Sequence, residues 1–128
     1  MKMIRKTWFS NGQLKEVVNY KNGDRDGLFE EYYQNGQLKE RSNWKNGKLD
    51  GLSEMWHENG QLRFRGTFNE DYKTGLSEVW DENGQQLIKG MYKNGRMDGT
   101  YEEWDSNGKL IERVNYKNGK LAGTYEVK

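Results

Sequence analysis

The stretch that decides the fold reads Tyr32-Tyr33-Gln34-Asn35-Gly36-Gln37-Leu38-Lys39. Its Asn-Gly pair, flanked by alternating residues, is typical of a β-hairpin, because Asn and Gly both accept a positive φ at little cost. Copies of the stretch recur every 24 residues, and the aromatic residue three places before each Asn-Gly pair is Trp8, Tyr32, Trp56, Trp80 or Trp104. This period predicts an array of hairpins in which each copy packs only on its neighbours.

A second Asn-Gly turn follows in four of the five copies, and its pairs are Asn22-Gly23, Asn46-Gly47, Asn94-Gly95 and Asn118-Gly119. Copy three has Glu70-Asp71 at this point, which predicts the most irregular loop of the array. In copy four the leucine of the repeat is displaced to Leu87, which predicts a local bulge. The glycine of Asp26-Gly27, like its equivalents, is assigned to the closing turn.

The period predicts one elongated all-β domain over residues 1–128, with repeats at about 6–29, 30–53, 54–77, 78–101 and 102–125. Each copy supplies two strands of about six to eight residues, so ten or eleven strands are expected. Residues 124–128 are predicted to form the first strand of an incomplete sixth unit, which serves as the C-terminal cap.

The register of each hairpin is open to two interpretations, because a one-residue shift moves every side chain to the opposite face. A two-residue turn at Asn35-Gly36 pairs Glu30 with Arg41. The same turn in the other copies pairs Glu54 with Arg65, Glu78 with Lys89 and Glu102 with Arg113. This register predicts a ladder of opposite charges along one face.

A three-residue loop with Gly36 as a left-handed bulge residue instead pairs Tyr32 with Leu38. It also places Leu28 and Trp44 on the same face as that pair. An exposed ion pair contributes at most about 1 kcal/mol, whereas burying a large apolar side chain contributes roughly 1.5 to 3 kcal/mol. We therefore expect the three-residue loop.

Charge and composition exclude several classes of partner. The chain has 21 Lys and Arg, 20 Asp and Glu and a net charge of +1, so no positive field is present to gather nucleic acid, and a membrane surface is not favoured either. There is no cysteine and hence no disulfide or thiolate metal site. No apolar run could span a bilayer. We expect a cytoplasmic protein, although a secreted form whose signal peptide has been removed is compatible with the sequence.

Catalysis is poorly supported, and we expect neither an enzyme nor a cofactor. The single histidine, His57, shares its repeat position with Phe9, Tyr33 and two aspartates, which indicates a surface strand position. A glutamate recurs in every copy, at Glu30, Glu54, Glu78, Glu102 and Glu126. A catalytic residue is normally unique within its site. A glutamate that recurs in every copy is therefore interpreted as a solvated strand residue of the repeat.

The recurring aromatic residues admit two interpretations. As core, they bury one face of the sheet; the residues concerned are Trp56, Trp80, Trp104, Phe68, Tyr92 and Tyr116. As a binding site, rows of rings stack on sugars or surround a choline ammonium group. We favour the core, and carbohydrate or cell-surface ligand binding is the alternative function.

Copy two shows the full repeat pattern: Tyr32-Tyr33-Gln34-Asn35-Gly36-Gln37-Leu38 and then Asn43-Trp44-Lys45-Asn46-Gly47-Lys48-Leu49-Asp50-Gly51-Leu52. This pattern resembles the MORN repeat in its bacterial variant form, over nearly the whole chain. The resemblance implies an extended, twisted, single-layer antiparallel sheet, a MORN-like solenoid. Proteins similar to it include YwqK-like antitoxins and immunity proteins against polymorphic toxins, while other MORN proteins are scaffolds or bind phospholipid.

The expected function is a non-enzymatic protein-interaction module that binds a protein partner through a sheet face. An antitoxin or immunity protein bound to a toxin is one such module, and association between copies of the chain stays open. Interfaces favour aromatic residues, Met and Arg, and function often lies where a repeat departs from its own rule. The candidate partner-binding residues are therefore the departures in the central copies: Met55, His57, Phe64, Glu70, Asp71, Tyr72 and Val79.

Overall fold

The computed structural model describes residues 1–123 and 126–127; residues 124, 125 and 128 of the predicted capping strand lie outside the described residues. The strands are β1 (Lys2–Trp8), β2 (Leu14–Lys21), β3 (Asp24–Tyr32), β4 (Leu38–Lys45), β5 (Lys48–Trp56), β6 (Leu62–Asn69), β7 (Tyr72–Trp80), β8 (Gln86–Lys93), β9 (Arg96–Trp104), β10 (Leu110–Lys117), β11 (Lys120–Leu121) and β12 (Glu126–Val127). They form one antiparallel sheet in chain order, and both β11 and β12 pair with β10. The predicted all-β hairpin array is confirmed.

The first turn of each copy is the predicted three-residue loop. In copy two the backbone N–H of Tyr33 donates to the carbonyl of Gln37 at 2.8 Å, and the N–H of Gly36 donates to the carbonyl of Tyr33 at 3.0 Å. Gly36 has a φ of 88°. The side-chain oxygen of Asn35 accepts the N–H of Gln37 at 2.9 Å, so the Asn-Gly pair stabilises the loop with its side chain as well as with its backbone.

Both predicted registers are present in the same hairpin, because each even-numbered strand from β2 to β10 carries a bulge near its start. Tyr32 pairs with Leu38, the register shifts by one residue at Lys39, and Glu30 then pairs with Arg41. The expectation that only one of the two registers forms is wrong. One extra residue in the strand allows both the apolar pair and the charged pair to form.

The bulge also changes which side chains share a face. Trp44 was predicted on the face of Tyr32 but lies on the opposite face, because the extra residue reverses the alternation between them. Copy four keeps the same geometry as the others. Gln86 pairs with Trp80 at the leucine position, and Leu87 occupies the bulge. The bulge expected in copy four alone is therefore general to the repeat.

The second turn is a two-residue loop whose residues both have positive φ. In copy two the φ values are 51° for Asn46 and 82° for Gly47. Glu70 and Asp71 adopt the same conformation in copy three, with φ values of 46° and 73°. The prediction of an irregular loop is wrong, since this turn keeps its backbone geometry without a glycine.

Glu70→Asn is expected to raise the free energy of unfolding by about 0.5 to 1 kcal/mol. A left-handed conformation costs most non-glycine residues about 1–2 kcal/mol, and Asn adopts it more readily than Glu. The backbone N–H of Glu70, which donates to the carboxylate of Asp50 at 3.3 Å, is unaffected by the change. Urea unfolding measures the difference. Glu58→Asn, at an exposed turn position without positive φ, is the matched control, and an equal gain in both variants would contradict the explanation by strain.

The third recurring glycine belongs to a strand and not to a turn, which corrects its assignment. Gly27 lies within β3 with a φ of 102°, and its equivalents Gly51 and Gly99 have φ values of 114° and 119°. The register is irregular beside each of them. The preceding aspartate links two copies, since Asp26 accepts the backbone N–H of Asn46 at 3.2 Å.

Residues that pair across neighbouring strands form rows that run across the sheet. The middle row of one face is Val18, Phe29, Ser42, Ser53, Gly66, Ser77, Gly90, Tyr101 and Val114. This row contains the buried apolar core of the described residues, which consists of Val18, Phe29 and Val114. We call this side of the sheet the groove face and the opposite side the ladder face.

The ladder face carries carboxylate–guanidinium pairs in its middle row. Arg41 donates from Nε and Nη2 to Glu30 Oε2 at 3.2 and 3.0 Å. The same contacts join Arg65 to Glu54 and Arg113 to Glu102. These three glutamate side chains are only 12 to 17% exposed, so their interpretation as solvated positions is wrong. In copy four Glu78 instead accepts from the amide of Gln86 at 2.7 Å.

Small-angle scattering is expected to show an elongated particle, because the strands follow one another in chain order across one sheet. At about 4.8 Å between strands, ten strands span roughly 48 Å before twist shortens the path. A compact globule of this length has a radius of gyration of about 14 Å. A measured value near that figure would contradict the extended array.

Candidate interaction groove

A row of paired residues on the groove face changes character across the sheet. From β4 to β9 it reads Glu40, Met55, Phe64, Val79, Ile88 and Glu103. The four central residues are apolar and each is partly exposed. Because they lie directly opposite one another on adjacent strands, they form one continuous apolar strip.

An open groove of about 520 Å³ lies along this strip. Its lining consists of Glu40, Trp44, Leu49, Ser53, Met55, Arg63, Phe64, Phe68, Lys73 and Val79. We call it the central groove. The rings of Phe64 and Phe68 lie on its floor with their centroids 6.5 Å apart. The groove thus combines aromatic and aliphatic surface with a few charged side chains at its margin, as interfaces do.

Small residues in the middle row give the groove its depth. Ser53 and Ser77 are buried, and Gly66 lies between them in the same row. A methyl group on Gly66 would lie 2.8 Å from Cζ of Phe64, so the ring covers the glycine directly. A glycine at this position therefore leaves the space that the aromatic ring occupies against the sheet.

Two cations lie over rings of the groove face. Lys73 Nζ is 5.5 Å from the ring centroid of Phe64 and 5.0 Å from that of Tyr92. Arg25 lies 4.9 Å from the ring of Trp44. Such contacts contribute about 0.5 to 2 kcal/mol each and occupy the face of the ring.

His57 lies at one end of the central groove and links two copies. Its Nε2 is 2.9 Å from the backbone carbonyl of Trp80, and the hydroxyl of Tyr33, its equivalent in copy two, donates to the carbonyl of Trp56 at 2.7 Å. Arg63 lies between His57 and the central groove, since it lines this groove and also the neighbouring pocket that contains His57. His57 is therefore partly buried and hydrogen-bonded to the next copy, which corrects its interpretation as a simple surface strand position.

Glu70, Asp71 and Tyr72 lie beyond the other end of the groove, where β6 turns into β7. The carboxylate of Asp71 accepts the N–H of Leu49 at 2.8 Å, and the N–H of Asp71 donates to the carbonyl of Leu49 at 2.8 Å. The Tyr72 ring is 61% exposed and lies against Gly95. The structure thus brings Met55, Phe64 and Val79 together and places the other four candidates at the two ends of the groove.

The aromatic residues do not share one face, which corrects the predicted core. The Trp56, Trp80 and Trp104 side chains lie on the ladder face, whereas Phe68 and Tyr92 lie on the groove face. The bulge separates the two sets by reversing the alternation of side chains. Neither set is fully buried, so the sheet has a thin core.

Burial is the main cause of the raised pKa of two groups on the groove face, Tyr101 and Glu40. Burial raises the pKa of Tyr101, and the hydrogen bond that its hydroxyl donates to Glu103 at 2.8 Å raises it further. Burial also raises the pKa of Glu40, which accepts a hydrogen bond from Ser42. Within residues 1–123 and 126–127 no cluster of three or more His, Asp or Glu could hold a metal ion.

Sequence reasoning missed seven residues of the groove lining: Glu40, Trp44, Leu49, Ser53, Arg63, Phe68 and Lys73. Trp44 and Phe68 keep the aromatic character of their repeat position, and the position of Leu49 and Lys73 varies from copy to copy, so neither position gives a signal as a departure. The bulge at the start of β6 places Phe64, Phe68 and Lys73 on the same face as Met55, Leu49 and Trp44. Reading the alternation separately on each side of the bulge would have found them.

Comparison with known proteins agrees with the hairpin geometry. No curated protein matches the chain. In the part of the chain that the structure describes, no helix has the length and apolar character needed to cross a membrane. The MORN repeat variant family matches residues 2–22, 25–46, 49–70, 73–94 and 97–118. MORN repeats generally mediate interactions with proteins or membranes, and the family is generally non-enzymatic. The chain belongs to the MORN repeat variant family.

Proposed function

We propose that this chain is a non-enzymatic module that binds a protein partner in its central groove, in the manner of a cytoplasmic bacterial antitoxin or immunity protein. The observation that supports the proposal is the apolar strip of Met55, Phe64, Val79 and Ile88 on a sheet face that no second layer of described residues covers. Apolar surface that is contiguous and rimmed by polar residues marks interaction sites.

The charges around the strip favour a protein over a membrane. Glu40 and Glu103 stand at its two ends, in the same row as the apolar residues. Cytoplasmic leaflets carry anionic lipids, which attract basic segments. Carboxylates at the ends of the apolar strip repel such a surface, and together with Arg63 and Lys73 in the groove lining they give a mixed charge pattern that a protein can match.

Carbohydrate or cell-surface ligand binding is the competing function, since Trp44, Phe68 and Tyr92 lie on one face. Sugar stacking and choline binding both require free ring faces. The Arg25 guanidinium and the Lys73 ammonium already lie over Trp44 and Tyr92. The Trp44 and Tyr92 rings are therefore less available to a sugar.

Phe64→Ala is expected to weaken capture of the native protein partner by about tenfold or more, since truncating an aromatic anchor in a packed interface costs at least about 1.4 kcal/mol. The measurement is recovery of proteins from the source cell on immobilised wild-type and variant chains, followed by titration of each recovered protein. Trp8→Ala is the control, because Trp8 is 58% exposed and lies on the ladder face in copy one.

Two outcomes would contradict the proposed function. One is a native partner that binds Phe64→Ala as tightly as wild type. The other is binding of glycans or a choline resin that Trp44→Ala abolishes, with no protein retained by the groove. In both experiments the variants are compared only after their unfolding transitions have been shown to be intact.

A further inference from the structure

Carboxylates lie directly opposite one another at both ends of the apolar strip. On the N-terminal side Glu31 pairs with both Glu16 and Glu40 across neighbouring strands. On the C-terminal side Glu103 pairs with Glu112. Like charges at opposed positions of a sheet are destabilising. Among the described residues, these five carboxylates form one ion pair, in which Lys39 Nζ lies 3.8 Å from Glu31 Oε2.

This arrangement is unfavourable for the free chain. Burial raises the pKa of Glu40 and the Ser42 hydrogen bond lowers it; the Glu31 carboxylate then raises it, and the more weakly acting Arg25 and Lys39 cations lower it. At the equivalent strand positions the central copies have apolar residues, which shows that the fold does not require an acid there. Residues that reduce stability without serving the fold are expected where a partner binds.

A helix is the occupant that suits the strip between the carboxylates. The strip lies on a face of the sheet whose backbone N–H and C=O groups are used in pairing between neighbouring strands, so it offers no free row of backbone donors and acceptors. An extended peptide laid across it would bury its own N–H and C=O groups without partners, which is costly. A helix satisfies its backbone internally and packs an apolar side against a sheet face, as helices do in layered folds.

The spacing of the carboxylates sets the length of that helix. Glu40 and Glu103 are separated by five strand spacings along one row. At about 4.8 Å per strand this is about 24 Å, which a helix covers in about 16 residues at 1.5 Å per residue.

We propose that the central groove binds an amphipathic helix of the partner protein whose apolar side is flanked at both ends by Lys or Arg, about 16 residues apart. This inference rests on the proposed function and specifies the chemistry of the partner segment. The basic ends pair with Glu16, Glu31 and Glu40 on one side and with Glu103 and Glu112 on the other, and the apolar side covers Met55, Phe64, Val79 and Ile88.

Synthetic peptides test the inference directly. The probe is a fluorescently labelled helical peptide with Leu and Met at helical spacing and Lys in its first and last turns. One comparison peptide has Glu in place of the terminal Lys, and another has the same composition in a strict alternating order that disfavours an amphipathic helix. We expect the Lys-ended helix to bind at least about tenfold more tightly than either, with an affinity that falls as salt is raised.

Charge-removing variants of the protein supply the second measurement. Glu40→Gln and Glu103→Gln are each expected to weaken the Lys-ended helix and the native partner about threefold, and the two together about tenfold, since both ends act separately. Glu82→Gln removes the same charge from an exposed turn and should leave affinity unchanged. Neither groove variant should lower the unfolding midpoint, because each relieves a repulsion; a general loss of structure would lower it.

The outcomes separate this inference from the proposed function. A native partner that is lost with Phe64→Ala but keeps full affinity for the combined Glu40→Gln and Glu103→Gln variant would overturn the basic-ended helix while leaving the groove as the binding site. Equal binding of the Lys-ended, Glu-ended and alternating peptides would overturn it as well. A native partner that binds Phe64→Ala with the same affinity as wild type would overturn both proposals.

Discussion

Phe29→Ala is expected to lower the free energy of unfolding by about 3 to 5 kcal/mol, which is the range for truncating a buried Phe. Phe29 is 5% exposed and is one of the three apolar side chains in the core of the described residues. Its ring packs in the middle row beside Val18, with the Arg25 guanidinium 4.6 Å from its centroid. A single layer has no second sheet to close over the cavity, so little relaxation is available. Urea unfolding measures the loss.

The matched control for this prediction is Phe64→Ala, which removes the same atoms from the same face of the sheet. Phe64 is partly exposed in the central groove, so its loss is expected to cost about 1 to 2 kcal/mol of stability. Phe29→Ala is therefore expected mainly to lose stability, whereas Phe64→Ala is expected mainly to lose affinity for the partner. Equal destabilisation by both would show that the groove is as closely packed as the middle row, and the interpretation of the strip as a free surface would fail.

Gly99→Ala is expected to cost about 2 to 6 kcal/mol, a second large effect. Gly99 has a φ of 119°, a backbone conformation that costs about 1–3 kcal/mol for other residues. The added methyl group would also lie 3.0 Å from Cβ of Met91 on the adjacent strand. That atom is fixed to the backbone and cannot rotate away, so about 1–3 kcal/mol of overpacking adds to the strain. Thermal and urea unfolding measure the sum.

Gly84→Ala separates the two contributions to the Gly99 effect. Gly84 has a φ of 86° in a first turn, and the nearest atom to an added methyl group is the side-chain oxygen of Gln61 at 3.6 Å. Only the backbone strain at positive φ applies there, and the free energy of unfolding is expected to fall by about 1–2 kcal/mol. If Gly84→Ala destabilised as much as Gly99→Ala, the explanation through the bulge in β9 and its contact with Met91 would be wrong.

The sequence by itself determined the local elements of this protein. The Asn-Gly pairs specify turns because each first turn requires a left-handed glycine, such as Gly36, and each second turn requires two residues at positive φ, such as Asn46 and Gly47. The 24-residue period then specifies that hairpins follow one another in one sheet. These features depend only on residues close in the chain, so they can be read without tertiary information.

The tertiary structure decided which side chains share a face. A bulge after each first turn, at Lys39 in copy two and Leu87 in copy four, lets the Tyr32–Leu38 and Glu30–Arg41 pairs coexist. No turn residue marks this bulge, and copy four keeps it with Gln86 in place of leucine opposite Trp80, so only the register across the strands reveals it.

The central groove depends on the same bulge. Met55, Phe64 and Val79 could be selected from the sequence as departures from the repeat. Their contact with Phe68 and Lys73, and the carboxylates at the ends of their row, follow only from the register across several strands. Local sequence fixes the alternation within a strand, but one extra residue reverses it, and cross-strand packing decides where that residue is placed.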